Sequence, residues 1–378
     1  MPALLKTVDP EGLLEFSVVF TDRSLNHMSA KFQQVMRDIS SGLREVYNAD
    51  GVAIVPGGGT FAMEAVARQF AGGQTCLIVR NGWFSFRWTQ ILEAGDIAST
   101  ATVMQARQAG NEPTAPFAPA PVEEVVARIR AEKPAIVFAP HVETSSGIIL
   151  PDAYIAALSA AAHEVGALMV LDCIASGCVW VDMKATGVDV LISAPQKGWS
   201  ATPCAGLVML SERALTRMEA TTSTSFAADL KKWRSIMAAY EGGGHAYHAT
   251  MPTDGLLSFR DTMAETRDFG FEKLREAQWD LGQKTRAALA ARGIRSVAAD
   301  GYGAPGVVVS YTDDPAIRNG SRFGALGVQI AAGVPLQVGE PEGFSTFRLG
   351  LFGLDKLYDV DATVARLESA LDQVFAAS

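Results

Sequence analysis

With 378 residues, 48% of them hydrophobic and 19% charged, the chain can bury two to three domains' worth of core and is not disordered. A formal net charge of −9, without any local cluster of Lys or Arg, argues against a nucleic-acid-binding surface. No apolar run approaches the length of a membrane span, and the start, MPALLKTVDPEGLLEF, carries acids and a proline where a signal peptide needs a basic end and a long apolar stretch. Cys76, Cys173, Cys178 and Cys204 sit mostly inside apolar runs, as reduced core thiols do, so the expectation is a soluble, cytoplasmic protein.

Residues 1–25 lack periodicity and read as an N-terminal arm. Ser29 to Tyr47 reads as an amphipathic helix, with Phe32, Val35, Met36, Ile39, Leu43 and Val46 at helical spacing. A short buried strand, Gly51–Val55, runs through Pro56-Gly-Gly-Gly-Thr60 into a helix over 61–70 that Gly72-Gly73 closes. Strands over 75–79, 98–104, 135–139, 168–171, 188–193 and 205–210 follow, interleaved with helices over 83–93, 122–131 and 152–165; 113–121 reads as a proline-rich loop. Beyond Ser211 come a helix over 214–220, a polar Thr/Ser stretch and a loop over 241–252. A long helix over 259–291, with a break near Phe269-Gly270, links to a smaller part that has strands near 306–311 and 347–351 and helices near 317–326 and 362–375. Strands alternating with helices, apolar on both faces, predict an α/β fold with a mostly parallel central sheet covered by helices. The expected division is an arm (1–25), a large domain (26–262) and a small C-terminal α/β domain (263–378).

Two strand ends carry residues that a packed core does not favour. Met-Val-Leu-Asp-Cys ends in Asp172, and Val-Leu-Ile-Ser-Ala-Pro-Gln-Lys delivers Gln196 and Lys197, in a sheet whose ligands gather at strand carboxyl ends. Taken singly, Asp172 is either a cap or a carboxylate held against a pyridine nitrogen, and Lys197 is either a solvated lysine or an amine in covalent imine linkage to a cofactor aldehyde. The glycine turn before Thr60 is either a tight turn or a phosphate cradle at a helix N-terminus. Together, carboxylate, amine and turn point to pyridoxal phosphate. His141 opens another strand-end segment, His-Val-Glu-Thr-Ser-Ser-Gly147. His245 and His248 lack partners at metal-ligand spacing and read as a loop pair, so no metal site is expected.

On these residues the chain resembles the class V aminotransferases of the fold type I pyridoxal-phosphate enzymes, near the alanine–glyoxylate and serine–glyoxylate group. The resemblance runs from about Ser29 to the C-terminus and is densest over His141–Leu210. It implies that Gly58, Gly59 and Thr60 form the phosphate loop, that Phe84 of Asn81-Gly-Trp-Phe-Ser-Phe-Arg87 stacks on the ring, and that Ile174 packs on its other face. It further implies Thr144 near the ring oxygen, Asp172 at the ring nitrogen, Gln196 beside phosphate or ring, and Lys197 as the covalent lysine. Tyr247 and Thr250 would reach the phosphate of a partner subunit in an obligate homodimer, and Arg348 in Phe-Arg-Leu-Gly would clamp the substrate carboxylate. The chain departs from the family pattern in three places. Phe20-Thr-Asp-Arg-Ser-Leu-Asn-His-Met28 stands where a Gly-Pro motif is usual, Pro195 replaces a small or hydroxyl residue, and Gly198-Trp-Ser-Ala-Thr-Pro-Cys204 follows the lysine. The resemblance implies amino transfer from a small amino acid such as alanine or serine to a 2-oxo acid such as glyoxylate or pyruvate. Its alternative is a lyase using the same cofactor; a non-catalytic nucleotide-binding α/β protein fits less well, because the dinucleotide fingerprint is missing.

Overall fold

Continuous runs of Val, Ile, Leu and Ala have no wet face to spare, and in the computed structural model, which describes residues 8–376, they form six of the seven strands of one central sheet; the seventh, Thr100–Gln105, lies at its edge and is mostly exposed or half-buried. The first seven residues of the expected arm and the last two of the chain lie outside the described residues. The strands are β1 (Gly51–Pro56), β2 (Thr75–Arg80), β3 (Thr100–Gln105), β4 (Ile136–Pro140), β5 (Leu168–Asp172), β6 (Val190–Ser193) and β7 (Ala205–Leu210). Their order across the sheet is β1-β7-β6-β5-β4-β2-β3. Only β7 runs against the others, so the sheet is mostly parallel. The segments after β1, β2, β4, β5 and β6 therefore all emerge at the same edge, where the glycine turn, Asn81, His141, Asp172 and Lys197 lie.

Helices cover the sheet. α1 (Ala30–Tyr47) is capped by Ser29, whose hydroxyl accepts from the Phe32 N–H, and ends at Asn48 in a left-handed turn. α2 (Gly59–Phe70) and α3 (Trp83–Ala94) each leave the active edge directly from a strand. The long helix expected near the domain junction is two helices, Thr253–Phe269 and Phe271–Ala290, meeting at Gly270, whose φ of 102° favours glycine. The first of these lies along α1, with Arg260 paired to Asp38 and Arg267 to Glu45, each at 2.9 Å. The second packs into a smaller C-terminal unit with the antiparallel strands Val307–Tyr311 and Thr346–Gly350 and the helix Val360–Ala376.

Several elements differ from expectation. Leu230–Glu241 is a helix capped by Asp229 that buries Leu230, Trp233, Ile236, Met237 and Tyr240. The single helix expected near 317–326 is two single turns, Pro315–Arg318 and Ser321–Gly324, separated by Gly320 in the left-handed region. Within the expected loop over 113–121, Phe117–Ala118 pairs with Arg107–Gln108. A hairpin of Val142–Glu143 with Ile148–Ile149, and an edge strand Ala331–Ala332 beside Arg348, complete the set.

Behind the lysine edge lies a solid aromatic core. Trp199 is fully buried, 4.8 Å centroid to centroid from Trp180 and 5.9–6.4 Å from Phe259, Phe271 and Tyr47. Trp199→Ala removes this wedge and is expected to destabilise the protein by about 3–5 kcal/mol, measured by urea unfolding of the cofactor-free chain.

Candidate active site

The lysine loop is built to stay still. It turns tightly, with Ala201 N–H donating to Pro195 O and Ser200 N–H to Lys197 O, both at 3.0 Å. Gly198 must be glycine, because a Cβ there would overlap the Gly177 carbonyl. Ser200 holds a φ of 55°, unfavourable for a side-chain-bearing residue, and its Oγ accepts from the Leu354 N–H at 2.8 Å. That bond ties the loop to the C-terminal unit. Lys197 Nζ lies between two aromatic faces, 5.9 Å from the Phe84 centroid and 5.7 Å from that of Phe352. Burial holds its pKa below the ordinary lysine value; Asp172 opposes this, while Arg348 and Arg87 add to it.

Asp172 ends β5 beside Ile192 of β6, and its side chain is 7% exposed. Its Oδ1 accepts from the Ile174 N–H at 2.9 Å. Burial pushes its pKa up to about 6, against the opposing pull of that N–H and of Lys197. His141, one strand away, donates its N–H to Asp172 O and shares a 2.7 Å hydrogen bond between Nδ1 and Ser176 Oγ. Burial, helped by Arg275, pushes its pKa down to about 3, so the imidazole is neutral at physiological pH.

The turn after β1 has three glycines for three reasons. Gly57 needs its φ of 119° and donates its N–H to Cys204 O. Gly59 lies where a Cβ would strike the Ile174 side chain. At Gly58 the backbone is extended and a Cβ would meet nothing within 4 Å, so neither conformation nor packing demands glycine there. What a side chain at 58 would take up is open space above the N-terminus of α2, where helix N–H groups lack partners within the helix. Beside the lysine, Gln196 Oε1 is buried without a hydrogen-bond partner among the described residues.

Phe84 owes its position to a residue that the sequence reading did not single out. Glu143, fully buried, accepts from the N–H groups of Phe84 (3.1 Å), Ser85 (2.8 Å) and Ser145 (3.0 Å) and from the hydroxyls of Ser85 (2.6 Å) and Ser145 (2.7 Å). A carboxylate thus caps the N-terminus of α3 and neutralises its dipole. The only signal in sequence is an acid within an otherwise buried segment. Thr144 is the one residue of 141–150 that is not buried. Arg348 lies 5.7 Å from the Phe84 centroid and donates Nε–H to Ala332 O at 2.8 Å, which among the described residues leaves both terminal nitrogens for an incoming carboxylate. Thus the chain gathers Lys197, Asp172, Ile174, Phe84, Gly59, Gln196 and Arg348 at one edge. Tyr247 and Thr250 stand apart from them on an exposed loop, their hydroxyls 3.1 Å from each other and the Tyr247 ring 5.5 Å from His27. His245 and His248 share that loop, and His248 bonds to Phe226 O.

A family profile described as Aminotransferase class-V matches residues 14–306. The chain belongs to the class V aminotransferase family. It is 26% identical to the soluble hydrogenase small subunit of Synechococcus sp. over 93% of this chain and 88% of that protein. It is 27% identical to the alanine–glyoxylate aminotransferase of Oryctolagus cuniculus over 68% of this chain and 64% of that one. Among solved structures, an alanine–glyoxylate aminotransferase from Nostoc sp. shares the fold at a TM-score of 0.78 and 23% identity, covering 93% of this chain and 89% of that chain. The cofactor of this aminotransferase family is pyridoxal phosphate. The residues fit it: a buried carboxylate with one protein donor, an amine between aromatic faces, an orphaned Gln196 oxygen and a glycine with open space above it.

Burying Asp172 has a measurable consequence. Because its folded pKa is raised, its contribution to stability is fully present below the unfolded value near 4 and is lost as pH rises through about 6. At pH 8 Asp172→Asn therefore makes the cofactor-free aminotransferase more stable, by up to about 3 kcal/mol, an advantage that shrinks towards pH 4. The same variant binds the cofactor more weakly. Urea unfolding at several pH values checks the first effect and cofactor titration the second.

Proposed function

We propose that this aminotransferase moves the amino group of a small amino acid, such as alanine or serine, to a 2-oxo acid such as glyoxylate or pyruvate. The observation that carries the reading is the arrangement around Phe84. Lys197 and Arg348 both lie within 6 Å of that ring, so an amine and a carboxylate clamp face one small space. The alanine–glyoxylate aminotransferases among the relatives support the choice of substrates.

When bound, pyridoxal phosphate supplies an aldehyde for attachment of amines and a ring that withdraws electrons. Gly58, Gly59, Thr60 and Gln196 would hold its phosphate end, Phe84 and Ile174 would cover its two faces and exclude water, and Thr144 would lie near the ring oxygen. Asp172 would keep a proton on the ring nitrogen, and that positive partner would hold the buried carboxylate ionised at neutral pH, which burial alone resists. Arg348 takes the substrate carboxylate on its two terminal nitrogens and so fixes which substituents of Cα face the lysine. Lys197 Nζ, its pKa lowered by burial, would remove the Cα proton and deliver it two atoms along, to the carbon that carries the cofactor's aldehyde oxygen. Within this reading the chain works as a homodimer. Tyr247 and Thr250 turn two hydroxyls outward, and Leu13, Phe16 and Phe226 are each more than three-quarters exposed, so a second copy gives both sets a place to go.

Purified protein loaded with pyridoxal phosphate is expected to convert alanine and glyoxylate to pyruvate and glycine, and Lys197→Ala to lose both this activity and the visible absorbance of the loaded protein. An unchanged spectrum in the variant contradicts the role of Lys197. Release of ammonia without an acceptor would favour a lyase.

A further inference from the structure

The groups assigned so far to the phosphate end offer backbone N–H, a hydroxyl and an amide, but no positive charge. A phosphate monoester carries about −1.5 to −2 at pH 7, and drawing it into a cleft walled by Ile174, Phe84 and Phe352 leaves much of that charge poorly solvated. A cation within reach is needed, and one stands beside the turn. Arg87 follows Phe84 by three residues on α3, so the two side chains leave the same face of the helix. Its Cζ is 5.1 Å from the Phe84 centroid, and its Nη1 donates to Thr60 Oγ1 at 2.9 Å. Arg68, at the far end of α2, is occupied by Glu64 at 2.7 Å; Arg87 has only the hydroxyl of Thr60 as its side-chain partner among the described residues. Its charge also reaches both Asp172 and Lys197, which places it inside the electrostatic field of the site.

We propose that Arg87 is the cation that meets the cofactor phosphate, held at the turn by Thr60 and carried there by the helix that presents Phe84. One helix end then serves ring and phosphate together, with Phe84 covering the one and Arg87 neutralising the other. Glu143 sets the position of both, since it anchors the first turn of α3. The proposal rests on the assignment of the Gly58–Thr60 turn to the phosphate.

The test compares pyridoxal phosphate with pyridoxal, which lacks the phosphate, as ligands of the cofactor-free protein. Dissociation constants are read from visible absorbance and tryptophan fluorescence. Arg87→Gln is expected to weaken pyridoxal phosphate by about ten- to a hundred-fold, as loss of one charged hydrogen-bond partner does, and to leave pyridoxal unchanged within about two-fold. Arg87→Lys, which keeps the charge, is expected to recover most of the loss. Inorganic phosphate should compete with pyridoxal phosphate at lower concentration in the wild type than in Arg87→Gln. An equal loss for both ligands would assign Arg87 to the packing of Phe84 and overturn the proposal. So would unchanged affinity for both, or a defect confined to the KM of a dicarboxylic substrate. If the wild type itself fails to prefer pyridoxal phosphate over pyridoxal, the assignment of the turn falls, and the proposal with it.

Discussion

Asp172 and Lys197 place opposite charges at the carboxyl ends of neighbouring buried strands, and each is moved off its ordinary pKa chiefly by loss of water. Such a pair is a poor device for stability, since the attraction returns only part of the desolvation cost. It is a good device for catalysis. Among the described residues the carboxylate has the Ile174 N–H as its hydrogen-bond donor and no cation bonded directly to it, and the amine is less firmly protonated than a surface lysine. Everything around the pair restrains it: the Ile174 N–H on the carboxylate, the tight turn at Pro195–Ala201, and the contact of Gly198 with Gly177. The large aromatic core about Trp199 offsets the cost from directly behind.

The same economy governs the opposite wall of the cleft. Phe84 lies on the first turn of a helix, where free N–H groups need acceptors, and Glu143 supplies two carboxylate oxygens for five donors. The wall is thereby fixed without crowding the cleft. On the C-terminal side, Arg348 sits in the middle strand of the small sheet, between Val309 and Ala331, and reaches the site because Ser200 and Leu354 join the two units next to the lysine.

Much of this architecture was legible in the sequence because a parallel sheet leaves a plain signal. Apart from the half-polar edge strand Thr100–Gln105, its strands are apolar runs, and the polar residues that end them, Asp172 and the Gln196–Lys197 pair, stand out for that reason. Gly270 marked the helix break because its φ suits no other residue as well. The helix Leu230–Glu241 has helical spacing but hides behind the Thr/Ser-rich stretch before it, which reads as loop. The strand Ala331–Ala332 is two exposed residues long and has no periodicity to read. Glu143 and Arg87 were invisible for a different reason: their significance lies in partners about 60 and 30 residues away in the chain. The Trp199 departure from the family pattern, by contrast, has a structural account, as the keystone of the aromatic core beneath the lysine loop.

The central claim is that Lys197 is the amine that carries the cofactor. Its most direct test is to load the protein with pyridoxal phosphate, reduce it with borohydride and locate the modified peptide by mass spectrometry. The account predicts a single stoichiometric adduct on Lys197, formed far faster than any surface lysine reacts. A stoichiometric adduct on another lysine, or only scattered substoichiometric labelling, would contradict it.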